Sequence, residues 1–184
     1  MKDTILLIFV CLLLLILVVV AVYYFFNAMR ILFSTTKKAP YIPSFNRQLE
    51  LMKQLKLKKD ATMVDLGCGD GKALRFFSKN HKIKLWEWFD INPYAIFKWK
   101  ILNKRNNITN VNLYKKNLFD VDLKKYDYIY VYLWESQMAV MEDWIWKTKR
   151  ADTVIISNSF QFKNHKPFEI YKNGKWIDTV FLYK

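Results

Sequence analysis

Three of the four glycines in this 184-residue chain, Gly67, Gly69 and Gly71, alternate within VDLGCGDGK, residues 64 to 72, directly after an apolar run. Alternating glycines let a backbone turn sharply and approach a ligand without intervening side chains. The pattern is not a phosphate-binding P-loop, because Ala73 follows Lys72 and no glycine stands five places before Gly71. It is not a dinucleotide fingerprint either, since its third glycine falls one place early. Asp65 and Asp70 put two carboxylates at the turn, which disfavours a pyrophosphate and suits a cationic ligand. S-adenosylmethionine, with its sulfonium and ammonium groups, satisfies that demand. Asp90, in WFDINP, lies nineteen residues beyond Gly71, where a carboxylate can accept both hydroxyls of a ribose. The bland alternative is a polar strand end beside a helix capped by Asn92 ahead of Pro93.

These residues need elements to hold them. Ser44 can cap a helix burying Leu49, Met52, Leu55 and Leu57, and Thr62 to Leu66 reads as a strand running into the glycine turn. A helix opens at Lys72. The alternation continues with strands at Ile83 to Phe89, Val111 to Tyr114, Tyr126 to Leu133 and Thr153 to Ser157, and helices at Pro93 to Lys104 and Ser136 to Lys147. FEIYKNGKWIDTVFLYK then reads as two strands joined by Asn173-Gly174. The expected fold is α/β, a Rossmann-like doubly wound sheet of about seven strands with a C-terminal antiparallel hairpin.

Ahead of this domain runs ILLIFVCLLLLILVVVAVYYFF, Ile5 to Phe26, without a charge. At about 1.5 Å per residue it is long enough to cross a hydrocarbon core of roughly 30 Å, and it closes in an aromatic belt rather than a cleavage site. The expected organisation is a transmembrane anchor over residues 1–30, a juxtamembrane linker over 31–43 and a catalytic domain over 44–184. Lys2 precedes the span while Arg30, Lys37 and Lys38 follow it, which places the domain in the cytoplasm. Two cysteines, Cys11 in the span and Cys68 in the turn, offer no disulfide framework. The net charge of +14 favours an anionic membrane surface as partner. Lysines dispersed in pairs, with only Arg30, Arg47, Arg75, Arg105 and Arg150 among them, argue against nucleic acid.

With VDLGCGDG as a first motif and FDINP as a second, the chain resembles the class I S-adenosylmethionine-dependent methyltransferases. The match looks closer to one branch, the small membrane-anchored protein-lysine methyltransferases that include the ATP synthase c-subunit lysine methyltransferases and their prokaryotic relatives. The N-terminal span, PYIPS, YLWESQM and IDTVFLYK carry that closer resemblance. It implies that Asp65, Gly67 and Gly69 hold the amino-acid part of the cofactor, with Cys68 and Gly71 of the same turn also among the cofactor-binding residues. Asp90 would then hold the ribose, with Ile91 after it also cofactor-binding, and the Asn117-Leu118 turn the adenine. The chain departs from the branch in having Trp88 for a glycine, Asn117 for an aspartate, and no proline near Glu135.

Methyl transfer to an amine is an in-line displacement, so the protein supplies alignment and a dry channel. Aromatic walls receive a cationic amine and its methylated product through their faces. Tyr132 and Trp134 are the candidate walls, Glu135 the guide for the ammonium, and Tyr41 a weaker candidate lid. With 17% aromatic residues, Tyr132 and Trp134 serve equally well as core. His81 and His165 stand in lysine-rich turns and read as solvated, and no cluster has metal-ligand spacing. The expected activity is methylation of a lysine on a membrane-associated protein. A lipid or quinone methyltransferase and a non-catalytic scaffold are the alternatives.

Overall fold

The computed structural model describes residues 2–32, 44–67, 69–90, 93–106, 108, 111–174 and 178–184. The chain divides into two units, Met1–Lys38 and Ala39–Lys184. The first is the helix α1, Lys2–Leu32, whose stretch Thr4–Asn27 contains an 18-residue window of mean hydropathy 3.8. By length and composition it is a helix able to cross a membrane.

The second unit is built on a seven-stranded sheet: β1 Ala61–Leu66, β2 Ile83–Asp90, β3 Val111–Lys115, β4 Tyr128–Val131, β5 Val154–Asn158, β6 Glu169–Lys172 and β7 Thr179–Tyr183. Its order is β3-β2-β1-β4-β5-β7-β6, with β7 antiparallel to both its neighbours and the other pairs parallel. The helices are α2 Asn46–Met52, α3 Lys72–Asn80, α4 Pro93–Arg105 and α5 Glu135–Thr148.

Alternation along each strand divides the core in two. Met63, Trp88, Tyr130, Ile156 and Val180 pack with Leu49 and Met52 of α2, Leu74 and Phe77 of α3, and Trp99 of α4. On the opposite face, Val64, Phe89, Ile129, Val131, Ile155 and Tyr183 pack with Met138, Met141 and Ile145 of α5. Both clusters lie wholly within residues 49–183. Two 3-10 turns, Leu118–Asp120 and Leu123–Lys125, replace a helix between β3 and β4, so α5 is the helix of that face among the described residues.

Three local expectations change. Ser44 does not cap α2. Its hydroxyl turns to the Tyr130 hydroxyl at 3.3 Å, while Gln48 Oε1 accepts the N–H of Phe45, the capping residue, at 2.9 Å. The hairpin is not closed by a two-residue turn at Asn173-Gly174, because the last pair of its strands is Lys172 with Thr179. Nor are the histidines merely solvated. His81 bonds the Met52 carbonyl at 2.9 Å, and its partial burial lowers its pKa against the raising effect of that bond.

His165 bonds Glu142 of α5 through Nδ1 at 2.8 Å and stacks on Trp146 at 3.7 Å. Buried Glu142 also accepts the backbone N–H groups of Lys163 and Asn164, so one carboxylate clamps the loop that follows β5. Burial raises the Glu142 pKa, but the bonds from His165, Asn164 and Lys163 outweigh it and hold the carboxyl below its ordinary 4.5. A depressed carboxylate stabilises above its unfolded pKa and loses that contribution as pH falls through the folded one. Glu142→Gln is therefore expected to cost about 2 kcal/mol at neutral pH. It should also flatten the fall of melting temperature below about pH 4.5, a change that circular dichroism of the detergent-solubilised full chain will read.

Candidate functional site

Parallel strands end together, so the carboxyl ends of β1, β2, β3, β4 and β5 bring most of the expected residues to one edge of the sheet. Gly67, Gly69 and Gly71 all take positive φ, +95°, +55° and +74°, as a tight strand-to-helix turn requires. A Cβ on Gly67 would meet only the flexible end of Leu133, at 2.9 Å. At Gly71 a further cause for glycine appears: a Cβ there would fall 1.7 Å from Trp88 Cη2. The third glycine makes room for an indole packed beneath the turn against Trp99, with ring centroids 5.1 Å apart.

The two carboxylates of the turn also divide. Asp70 is committed to the protein: Lys98 Nζ lies 2.9 Å from it and Arg75 Nη2 3.6 Å, and its Oδ1 accepts the N–H of Lys72 at 3.1 Å. Asp65, only 2% exposed, is the next-to-last residue of β1, just before the glycines and opposite Tyr130 in the β1–β4 register. Burial, and then the charge of Asp65, push the Tyr130 phenol well above its ordinary pKa, so it stays protonated. Its oxygen accepts from Asn158 Nδ2 at 3.1 Å and bonds Ser44. Gln48 Nε2 donates to Ser159 Oγ at 2.7 Å, and Lys72 Nζ to the Ser44 carbonyl at 2.7 Å. This buried polar network ties the start of α2 to the ends of β4 and β5 behind Asp65.

Asp90 ends β2, beside the end of β1, in register with Lys115 of β3. Cys68, Ile91 and Tyr41 lie outside the described residues. Asn117 Oδ1 accepts the N–H of Phe119 at 3.2 Å, capping the 3-10 turn that begins at Leu118. An amide oxygen has two lone pairs, so one acceptor site remains there.

On the β4 side, Tyr132 and Trp134 converge on Phe160, with centroids 6.3 Å and 5.9 Å away. Trp134 is 42% exposed and caps α5, and Glu135 is the first residue of that helix. A cleft of about 510 Å³ opens beside them, lined by Glu135, Ser159, Phe160, Gln161, Lys172 and Thr179 among others. Ser159 holds φ +66°, which swings the chain from β5 into the Phe160 contact. Sequence reasoning missed Ser159 and Phe160. The signal was available, because NSF stands at the carboxyl end of β5 as YLWE stands after β4.

The residues fit S-adenosylmethionine. A buried carboxylate stands one residue from the end of the first strand before a left-handed glycine turn, an acidic residue ends the second, and Trp88 is spent on the core rather than projecting over the strand ends. Sheet order and site together define a class I, S-adenosylmethionine-dependent methyltransferase. An RNA methyltransferase from Salinibacter ruber, solved in complex with S-adenosyl-L-homocysteine, shares the fold with a TM-score of 0.69 at 18% identity, over 77% of this chain and 92% of that one. The ANTKMT methyltransferase domain family model matches residues 65–169, and the chain belongs to that family. It is similar to a protein-lysine N-methyltransferase of Saccharolobus islandicus strain REY15A, 26% identical over 148 residues, which cover 78% of this chain and 92% of the relative. It is also 23% identical over 146 residues to the human lysine N-methyltransferase of the ATP synthase c-subunit, and spans 60% of that protein's length.

Proposed function

We propose that this enzyme is a membrane-anchored protein-lysine N-methyltransferase whose catalytic domain faces the cytoplasm and whose substrate is a membrane-associated protein. The observation that carries the reading is the aromatic group Tyr132, Trp134 and Phe160 after β4 and β5, beside a cleft that Glu135 and Phe160 help to line. The names of the relatives support a lysine acceptor. The exposed apolar helix Thr4–Asn27, followed by Arg30, Lys37 and Lys38, supports the anchor and its orientation.

Bound S-adenosylmethionine supplies an activated methyl group. Asp65, with the backbone of Gly67, Cys68, Gly69 and Gly71, holds its ammonium-bearing end. Asp90 and Ile91 hold the ribose, and Asn117 with Leu118 the adenine. Glu135 at the cleft mouth attracts the protonated amine of a lysine. Inside, the faces of Tyr132, Trp134 and Phe160 remove water from it. Desolvation lowers a lysine pKa, so the proton leaves to solvent and the amine presents its lone pair. The methylated ammonium product is in turn held by the same ring faces.

Full chain incubated with methyl-tritiated donor and membranes should leave the label in protein after solvent extraction and yield methyl-lysine on hydrolysis. Trp134→Ala and Phe160→Ala are each expected to lower kcat/KM about tenfold, in line with roughly 0.5–2 kcal/mol per ring contact, while donor affinity is unchanged. Label passing into the organic phase would instead indicate a lipid or quinone acceptor, and donor binding without transfer a scaffold.

A further inference from the structure

Helix α4 has an outer face that the methyl-transfer site does not use. Its inner face is fixed, with Trp99 packed on Trp88, Asn103 buried, and Lys98 bonded to Asp70 of the glycine turn at 2.9 Å. Facing outward, one turn apart, are Phe97 and Ile101, which are 62% and 53% exposed. By helical spacing Lys100 and Lys104 flank this pair on one side and Arg105 on the other, all three exposed. Single exposed apolar residues are ordinary, but an adjacent apolar pair rimmed by cations is the pattern of a helix lying in a lipid interface.

We propose that the α4 face docks the catalytic domain onto an anionic lipid surface, with Phe97 and Ile101 entering the headgroup boundary and Lys100, Lys104 and Arg105 meeting lipid phosphates and carboxylates. The chemistry of the face selects this occupant. A cationic rim on a chain of net charge +14 repels basic partners and is attracted to anionic lipid. The chain also carries its own lipid-seeking helix, Thr4–Asn27, which would hold such a surface at high effective concentration. The inference rests on the reading that the enzyme works at a membrane. Since Lys98 of the same helix grips Asp70, docking would also fix the glycine turn relative to the lipid plane.

The test uses full chain carrying a protease site within residues 33–43, reconstituted into vesicles of phosphatidylcholine alone or with roughly 30% phosphatidylserine. After cleavage, vesicles are sedimented. The released domain retains both hydrophobic cores. It should stay with the phosphatidylserine vesicles about tenfold more than with phosphatidylcholine. Phe97→Ser/Ile101→Ser and Lys100→Gln/Lys104→Gln/Arg105→Gln should each cut retention about fivefold or more, with unchanged circular dichroism and donor binding. Equal release from both vesicles, or variants retained like the parent, would overturn the docking face. Substitutions that cut retention on native membranes but not on phosphatidylserine vesicles, with retention lost after those membranes are shaved with trypsin, would assign the face to a protein instead, and overturn it equally. Alkaline carbonate washing before cleavage reads the anchor separately: a stripped chain refutes the anchor, and sedimentation of the uncleaved chain then still decides the face.

Discussion

Asp65→Ala is expected to weaken S-adenosylmethionine binding by about a hundredfold, or roughly 2.7 kcal/mol, in calorimetry of the detergent-solubilised full chain. The size follows from geometry. Asp65 is buried where β1 runs into the glycine turn, opposite Tyr130 of β4. A buried carboxylate meeting an ammonium makes the strong, charge-assisted kind of hydrogen bond, worth about 1.5–3 kcal/mol net. Asp65→Asn separates charge from shape: it keeps the side chain's outline beside Tyr130 while removing the charge, and should lose most of the same affinity. Asp90→Ala should weaken binding about tenfold, as expected for neutral ribose hydroxyls. If Asp65→Asn binds as tightly as the parent, the ammonium does not sit at Asp65.

Gly71→Ala should destabilise the fold by about 3 kcal/mol, roughly 1 from forcing a side chain into left-handed backbone and about 2 from overpacking the core. The backbone there has φ +74°, and the added carbon would lie 1.7 Å from Trp88 Cη2 and 1.9 Å from Trp88 Cζ3. Trp88→Gly, which restores the residue expected from the resemblance, should on its own cost about 3–5 kcal/mol for the cavity it leaves. The pair Gly71→Ala/Trp88→Gly should be less destabilised than the sum by about 2 kcal/mol, because the steric part vanishes with the indole. Additive costs in denaturant titrations would show that Gly71 answers to something other than Trp88. Gly67→Ala is the control, since its added carbon meets only the movable end of Leu133.

The glycine turn, the strand ends and the sheet were legible because each has a local cause. The expected strands were short runs rich in aromatic, aliphatic and β-branched residues, and the structure has a strand at each of them. What escaped the sequence depends on long-range partners. Trp88 and Gly71 fit each other across seventeen positions, a relation that no window of sequence displays. The commitment of Asp70 to Lys98 depends on how α4 returns over the turn. Ser44 has the composition of a cap, yet Tyr130, 86 residues away, takes its hydroxyl. Tyr126 to Leu133 shrank to β4, Tyr128–Val131, because the chain must leave the sheet at Tyr132 for that ring and Trp134 to reach Phe160.

The position of β7 has a consequence for how the protein is made. It follows β6 in the chain yet lies between β6 and β5, pairing with both. Until Thr179–Tyr183 arrives, β5 offers an open edge carrying Ile155 and Ile156, and β6 has no strand to pair with. At about 5–20 residues per second, a ribosome needs roughly 1–5 s to pass from Asn158 to Tyr183. During that interval the nascent domain presents the kind of bare strand edge that recruits other chains. Its solubility at birth thus depends on the speed with which one late five-residue strand slots home, and a chaperone that shields β5 would matter more to its yield than to its final stability.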